Sequence, residues 1–205
     1  MTLINLSSNI VNAQVRLYNE FGSDMVLPLT FPQSAVSTTS STFNVTLRPG
    51  ETIVAETEAP STGVNVGWAD VQASGPLAGY AVFRLRGPGG PDSEGTVPLD
   101  NRPSTSIAFP YDETSGFRTG IALTNLSASR QTVTATLLDD NGSQLGTAQI
   151  TLQPLGHSAF YVDERFPPAF RHLGIVQFQS GSGLTGIGLR FNPTGSFTSI
   201  PFFAN

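Results

Sequence analysis

The sequence contains no cysteine, which excludes disulfide staples and thiolate metal sites. That absence fits an exported bacterial module and a cytosolic protein equally well. Lysine is absent too, and the ten basic residues are all arginine, as GC-rich coding would produce. Charged residues make up only 12% of the chain, which is low for a cytosolic enzyme and in keeping with Ser/Thr-rich extracellular β-proteins. A net charge of −5 without a basic stripe argues against nucleic-acid binding. No apolar run reaches the ~18 residues of a membrane helix, so no membrane insertion is expected. No signal peptide is recognisable and Met1 enters directly on a strand, so a mature fragment is expected. Phosphate loops, dinucleotide fingerprints and metal-ligand clusters are likewise missing, and no cofactor is expected.

What is present supports a folded β-protein. Hydrophobic residues reach 39%, with 14 Phe. Twenty-one Gly and 15 Pro suit many turns and oppose long helices. The 205 residues suit two domains of about 100 residues each, or one larger sandwich.

The strongest signal is internal similarity. Leu3-Ile4-Asn5-Leu6-Ser7 returns as Leu123-Thr124-Asn125-Leu126-Ser127, an offset of 120 that holds to Gly22-Ser23 and Gly142-Ser143. Val45-Thr46-Leu47 then matches Ile150-Thr151-Leu152 at an offset of 105, and Gly67–Val71 matches Gly174–Phe178 at 107. The first change of offset assigns an insertion to the Ser/Thr-rich stretch 32–43, read as a long turn or flexible loop. The lead-in Thr105–Tyr111 has no partner before Leu3, so copy one lacks a first strand. These boundaries give copy one as 1–99 and copy two as 104–205, with a Gly/Pro-rich linker over 87–103.

Alternation of period two dominates, as in Ala13, Val15 and Leu17 or Val133, Ala135 and Leu137. Asp139-Asp140-Asn141-Gly142 is a strong hairpin turn, with Asn19-Glu20-Phe21-Gly22 as its weaker equivalent. For copy two, strands are expected near 105–110, 117–126, 131–138, 144–152, 157–162, 173–179, 184–191 and 197–203. A short helical turn fits within Asp163–His172, limited by Pro167-Pro168. The predicted class is all-β, two tandem antiparallel immunoglobulin-like β-sandwiches.

Candidate chemistry is sparse. Ser158, His157 and Asp163 lack triad geometry, because neighbours on a strand point to opposite faces. Asp139–Ser143 superficially matches a calcium loop but is too short for an EF-hand. Four Asn-x-Ser/Thr sequons occur, at Asn5, Asn44, Asn125 and Asn141. In the repeated Asn-Leu-Ser, the asparagine is expected to end a strand by bonding its own backbone. Trp68 and Tyr80 are expected in the core, and Arg84 is expected to pair with Asp70 or Glu94.

Leu3–Ser7, Asn19–Gly22, Gly79-Tyr80-Ala81-Val82-Phe83-Arg84, Thr119–Asn125 and Gly186–Asn192 together resemble a repeat module of secreted and cell-surface proteins of environmental bacteria. That module usually occurs as a C-terminal tandem pair. The resemblance implies an immunoglobulin-like fold and an exported location, and it transfers no catalytic residues.

Three functional readings follow. The first is a non-catalytic extracellular structural or adhesion module, partnered by neighbouring domains or other copies of itself. The second is a subunit polymerising head-to-tail by strand complementation. Its tail residues Thr198, Ser199, Ile200, Pro201, Phe202 and Phe203 would fill an open front at Leu3 and Ile4 of the next molecule, unless the tail completes its own copy. The third is a carbohydrate- or ligand-binding surface using Tyr18, Tyr111 and Tyr161.

Overall fold

The computed structural model describes residues 1–57, 66–85, 93–100 and 103–204. Among them the chain is all-β, in several antiparallel sheets. It divides into two compact units, Met1–Val82 and Phe83–Asn205.

The first unit holds β1 (Thr2–Ile4), β2 (Val11–Asn19), β3 (Leu27–Phe31), β4 (Val36–Ser40), β5 (Thr42–Leu47), β6 (Thr52–Val54), β7 (Gly67–Ala73) and the start of β8 (Ala78–Leu85). One sheet runs β5-β2-β7, and β1 lies between β6 and β8 in another. The alternation in β2 works as expected: Val11, Ala13, Val15 and Leu17 are buried while Asn12 and Arg16 face water. Ala13, Val15 and Leu17 share one core with Leu3 of β1 and with Val45 and Leu47 of β5.

The Ser/Thr-rich stretch over 32–43 differs from the loop expected. Val36–Ser40 pairs with β3 as a two-stranded hairpin, and β5 starts at Thr42. Most of β4 is exposed. Threonines favour the pleated backbone even where they bury little, so polar composition concealed a strand.

The second unit continues with β9 (Ser93–Pro98), β10 (Ser104–Asp112), β11 (Arg118–Asn125), β12 (Gln131–Asp139), β13 (Gln144–Leu152) and β14 (His157–Tyr161). A short helix α1 (Val162–Arg165) and a 3-10 turn at Pro167–Ala169 follow, then β15 (Leu173–Phe191), β16 (Phe197–Ile200) and β17 (Phe203–Ala204). Of the expected linker, residues 87–92 and 101–102 lie outside the described residues, and 93–98 is β9.

Two expected strands, 173–179 and 184–191, are one 19-residue strand. Its first part pairs with β12 and β10, and its second part pairs with β11 and β16. Ser180-Gly181-Ser182-Gly183 reads locally as a turn, yet here it carries the strand from one set of partners to the next. Strands that change partners in this way form the corners of sandwiches. In the first unit the corresponding stretch is interrupted between β7 and β8, where Pro76 cannot supply a ladder N–H. The core of the second unit is built on Ile107, Phe109, Leu123, Leu137, Val176 and Phe178, none more than 0% exposed.

The two Asn-Leu-Ser motifs act as predicted. Asn5 donates through Nδ2 to the carbonyls of Asn9 (2.7 Å) and Leu47 (2.9 Å), and its Oδ1 accepts the Ser7 N–H (2.9 Å). Asn125 donates to the carbonyls of Ser129 and Gln153 (both 2.8 Å) and accepts the Ser127 N–H (2.9 Å). Both asparagines are 0% exposed. The two hairpin turns also form, with Gly22 and Gly142 at φ 79° and 78°.

Candidate functional site

The tail residues are paired within their own unit. Thr198, Ser199 and Ile200 lie opposite Arg190, Leu189 and Gly188 on β15, while Phe203 lies opposite Ala108 on β10. Pro201 is exposed, Phe202 packs against the core, and Phe203 is 59% exposed. Leu3 and Ile4 are paired on both sides, with Ile53 and Thr52 of β6 and with Gly79 and Ala78 of β8. They therefore form no open front.

The tyrosines offer little to a ligand. Tyr18 is 8% exposed and stacks on Trp68 at 5.1 Å between ring centroids; Tyr111 is 3% exposed. Burial, followed by the nearby Asp139, Glu113 and Asp140 carboxylates, pushes the Tyr111 hydroxyl up to about 12. Tyr161 lies beneath the Arg118 guanidinium at 3.9 Å. Tyr80, expected in the core, is 42% exposed.

Two clusters of charged groups in the second unit form clamps. Arg118 holds Asp163 through Nη2 (2.6 Å) and Nε (3.1 Å) and reaches Glu164 at 3.0 Å. Arg190 holds Asp112 at 2.6 Å and lies 3.6 Å over the Phe117 ring. Burial raises the Asp112 carboxyl, but hydrogen bonds from Thr114 and Arg190 outweigh it and leave the group below its ordinary value. Glu113 is 5% exposed and accepts the Thr119 N–H at 2.9 Å. Desolvation dominates there and pushes Glu113 up to about 7. Sequence reading missed this group, since nothing in Asp112-Glu113 marks which carboxylate is buried.

His157 sits on β14 opposite Thr124, and burial pushes it down to about 4. Ser158 pairs with Leu123 instead, and Asp163 is committed to Arg118. Among the described residues no group of three or more acidic or histidine side chains is placed to hold a metal. The Asp139 carboxylate accepts the N–H groups of Asn141 (2.9 Å) and Ser143 (2.7 Å), so it serves its turn. Arg84 pairs with Glu94 at 2.7 Å, one of its two expected partners.

A different feature emerges from comparing strand registers. In the first unit Leu17 lies opposite Ala69, Tyr18 opposite Trp68 and Leu3 opposite Gly79. In the second, Leu137 lies opposite Val176, Leu138 opposite Ile175 and Leu123 opposite Gly186. Every one of these pairs is related by the 120 and 107 offsets of the sequence. The neighbours of the corresponding strands nevertheless differ. β15 has β12 on one side and β10 on the other, with Val176 opposite Phe109 and Phe178 opposite Ile107. Among the described residues β7 has only β2.

Part of the β7 backbone is oriented to the side away from β2. Leu17 donates its N–H to the Ser41 carbonyl and accepts the Met25 N–H at its own carbonyl, both on the β5 side. Asn12 instead accepts from the Ser74 N–H, on the β7 side. Bonding direction alternates along a strand. Arg16 and Asp70 therefore face each other, while Gly67, Ala69, Val71 and Ala73 point their N–H and C=O groups away from β2. No known family model, curated protein or solved structure matches the chain.

Proposed function

We propose that the chain is a tandem pair of immunoglobulin-like β-sandwich modules of a secreted or cell-surface protein, with a structural or adhesive role. The observation that carries this reading is the shared register: strands related by the sequence offsets make the same pairings in both units. Duplication of a folding unit lengthens or multiplies a surface, the usual logic of modular arrays. Low charge and Ser/Thr-rich exposed strands agree with an exterior setting.

Two measurements test it. A panel of ester, glycoside and peptide substrates is expected to show no turnover; turnover abolished by Glu113→Gln or His157→Ala overturns the non-catalytic role. Fractionation of the native host is expected to recover the chain from the envelope or medium. Recovery in the cytosol overturns the exported location.

A further inference from the structure

We propose that Asn141 is a site of covalent modification, at which water slowly converts the carboxamide to aspartate and isoaspartate, and that Asp139 sets the rate by holding the β12–β13 turn closed. This goes beyond the structural role and does not depend on it.

Three described turns share one design. Each opens on an Asn or Asp whose side-chain Oδ1 accepts two N–H groups and whose carbonyl accepts the N–H of a glycine at positive φ. Asn19 receives Phe21 (2.9 Å), Ser23 (3.1 Å) and Gly22 (3.0 Å). Asp139 receives Asn141 (2.9 Å), Ser143 (2.7 Å) and Gly142 (3.0 Å). Asn192 receives Thr194 (3.0 Å), Ser196 (3.0 Å) and Gly195 (2.9 Å). The glycines lie at φ 79°, 78° and 89°. The residue just before the glycine is interchangeable in this frame: Phe21, Asn141 and Thr194 all fit, and all are exposed. Of the three, only Asn141 carries a carboxamide, and the sequence has no other Asn-Gly.

That dipeptide has a chemistry of its own. The Gly142 nitrogen can attack the Asn141 side-chain carbonyl carbon, because glycine has no Cβ to crowd the approach. The N–Cγ bond forms, the Cγ–Nδ2 bond breaks, and ammonia leaves with the proton given up by the Gly142 nitrogen. Water then opens the resulting five-membered imide at either carbonyl. One opening leaves aspartate. The other leaves isoaspartate, with one extra methylene in the main chain.

The folded turn restrains both reactants. The Gly142 N–H is bonded to the Asp139 carbonyl, so the nitrogen cannot give up its proton while that bond lasts. The Asn141 carboxamide donates through Nδ2 to Asp140 Oδ1 at 3.2 Å. The Asp139 carboxylate fixes the residues on either side of Gly142 and so locks the frame. Conversion therefore proceeds from the opened turn, and its rate reports how often that end of the hairpin opens. Isoaspartate then hinders reclosure. Its added methylene lengthens the span between the Asp139 N–H and the Ser143 carbonyl, which meet at 2.9 Å in the closed turn.

The test incubates the full chain, and a peptide copied from 137–145, at neutral pH. Position 141 is followed by peptide mapping that separates aspartate from isoaspartate. Conversion is expected at Asn141 before any other asparagine, and at least about tenfold more slowly in the folded chain than in the peptide. Asp139→Ala should speed it about tenfold. Asp139→Asn, which restores the bonding seen at Asn19 and Asn192, should stay close to the wild type. Asn141→Thr should fold, as Thr194 does in its own turn, and form no isoaspartate. Should Asp139→Ala fail to fold by circular dichroism, wild-type conversion is followed through low denaturant instead, where it should rise well before global unfolding. The proposal is overturned by equal rates in folded chain and peptide, by earlier conversion of another asparagine, or by isoaspartate that persists in Asn141→Thr. It is also overturned by conversion that rises only with global unfolding, or by Asp139→Ala that folds and converts at the wild-type rate.

Discussion

Replacing Asn125 by alanine strips the partner from the Ser129 and Gln153 carbonyls and the Ser127 N–H. The site is fully buried, so the cost should be on the order of 3 kcal/mol in chemical denaturation. Glu113 and His157 set opposing pH dependences. The Glu113 value rises from 4.5 to about 7 on folding, so the folded state holds that proton more tightly. Stability from this group is complete below its unfolded value and declines as pH rises from about 4.5 to 7. The His157 value falls from 6.5 to about 4; its contribution is complete above 6.5 and declines as pH falls toward 4. Thermal melts between these limits should therefore show a muted pH response in the wild type. In Glu113→Gln the Glu113 component disappears, and the melting temperature should climb steadily with pH until it levels near 6.5. At this scale the sequence was readable wherever a residue acts locally: the Asn-Leu-Ser bonding and the Arg84–Glu94 pair both emerged. Burial of Tyr18 and Glu113 did not, because alternation tells which residues share a face and leaves open how deeply the ends of a strand are covered.

Among the elements, β15 depends on close approach to β11. A Cβ added to Gly186 would meet the carbonyl oxygen of Ala122, and one added to Gly79 would meet that of Thr2, the corresponding residue of the first unit. Backbone cannot yield as a side-chain tip can. Gly186→Ala should therefore destabilise the second unit by about 1–3 kcal/mol, measurable as a lower denaturation midpoint. The turns that end hairpins were legible because Asn-Gly chemistry is local. The continuity of β15 and the strand character of Val36–Ser40 were hidden, since both depend on partners far away in sequence that override Gly/Ser and Ser/Thr composition.

For the whole molecule, the two cores differ in extent. Among the described residues the second unit's cluster has sixteen buried members and the first unit's nine. Hydrophobic burial dominates folding stability, so the first unit should unfold at lower denaturant. The single tryptophan lies in that unit. Its emission should change before the far-ultraviolet circular dichroism transition is complete; coincident transitions would instead indicate one cooperative unit.

The buried asparagines have a consequence for production in a eukaryotic secretory host. Asn5 and Asn125 carry the sugar-acceptor pattern, yet in the folded chain each side-chain nitrogen is occupied by two carbonyls and sealed from water. Asn44 and Asn141 carry the same pattern on the outside. Glycan at the outer pair is compatible with the finished protein. Glycan at Asn5 or Asn125 can only be attached before closure and then prevents it, so its occupancy in secreted and retained fractions records how quickly each unit shuts.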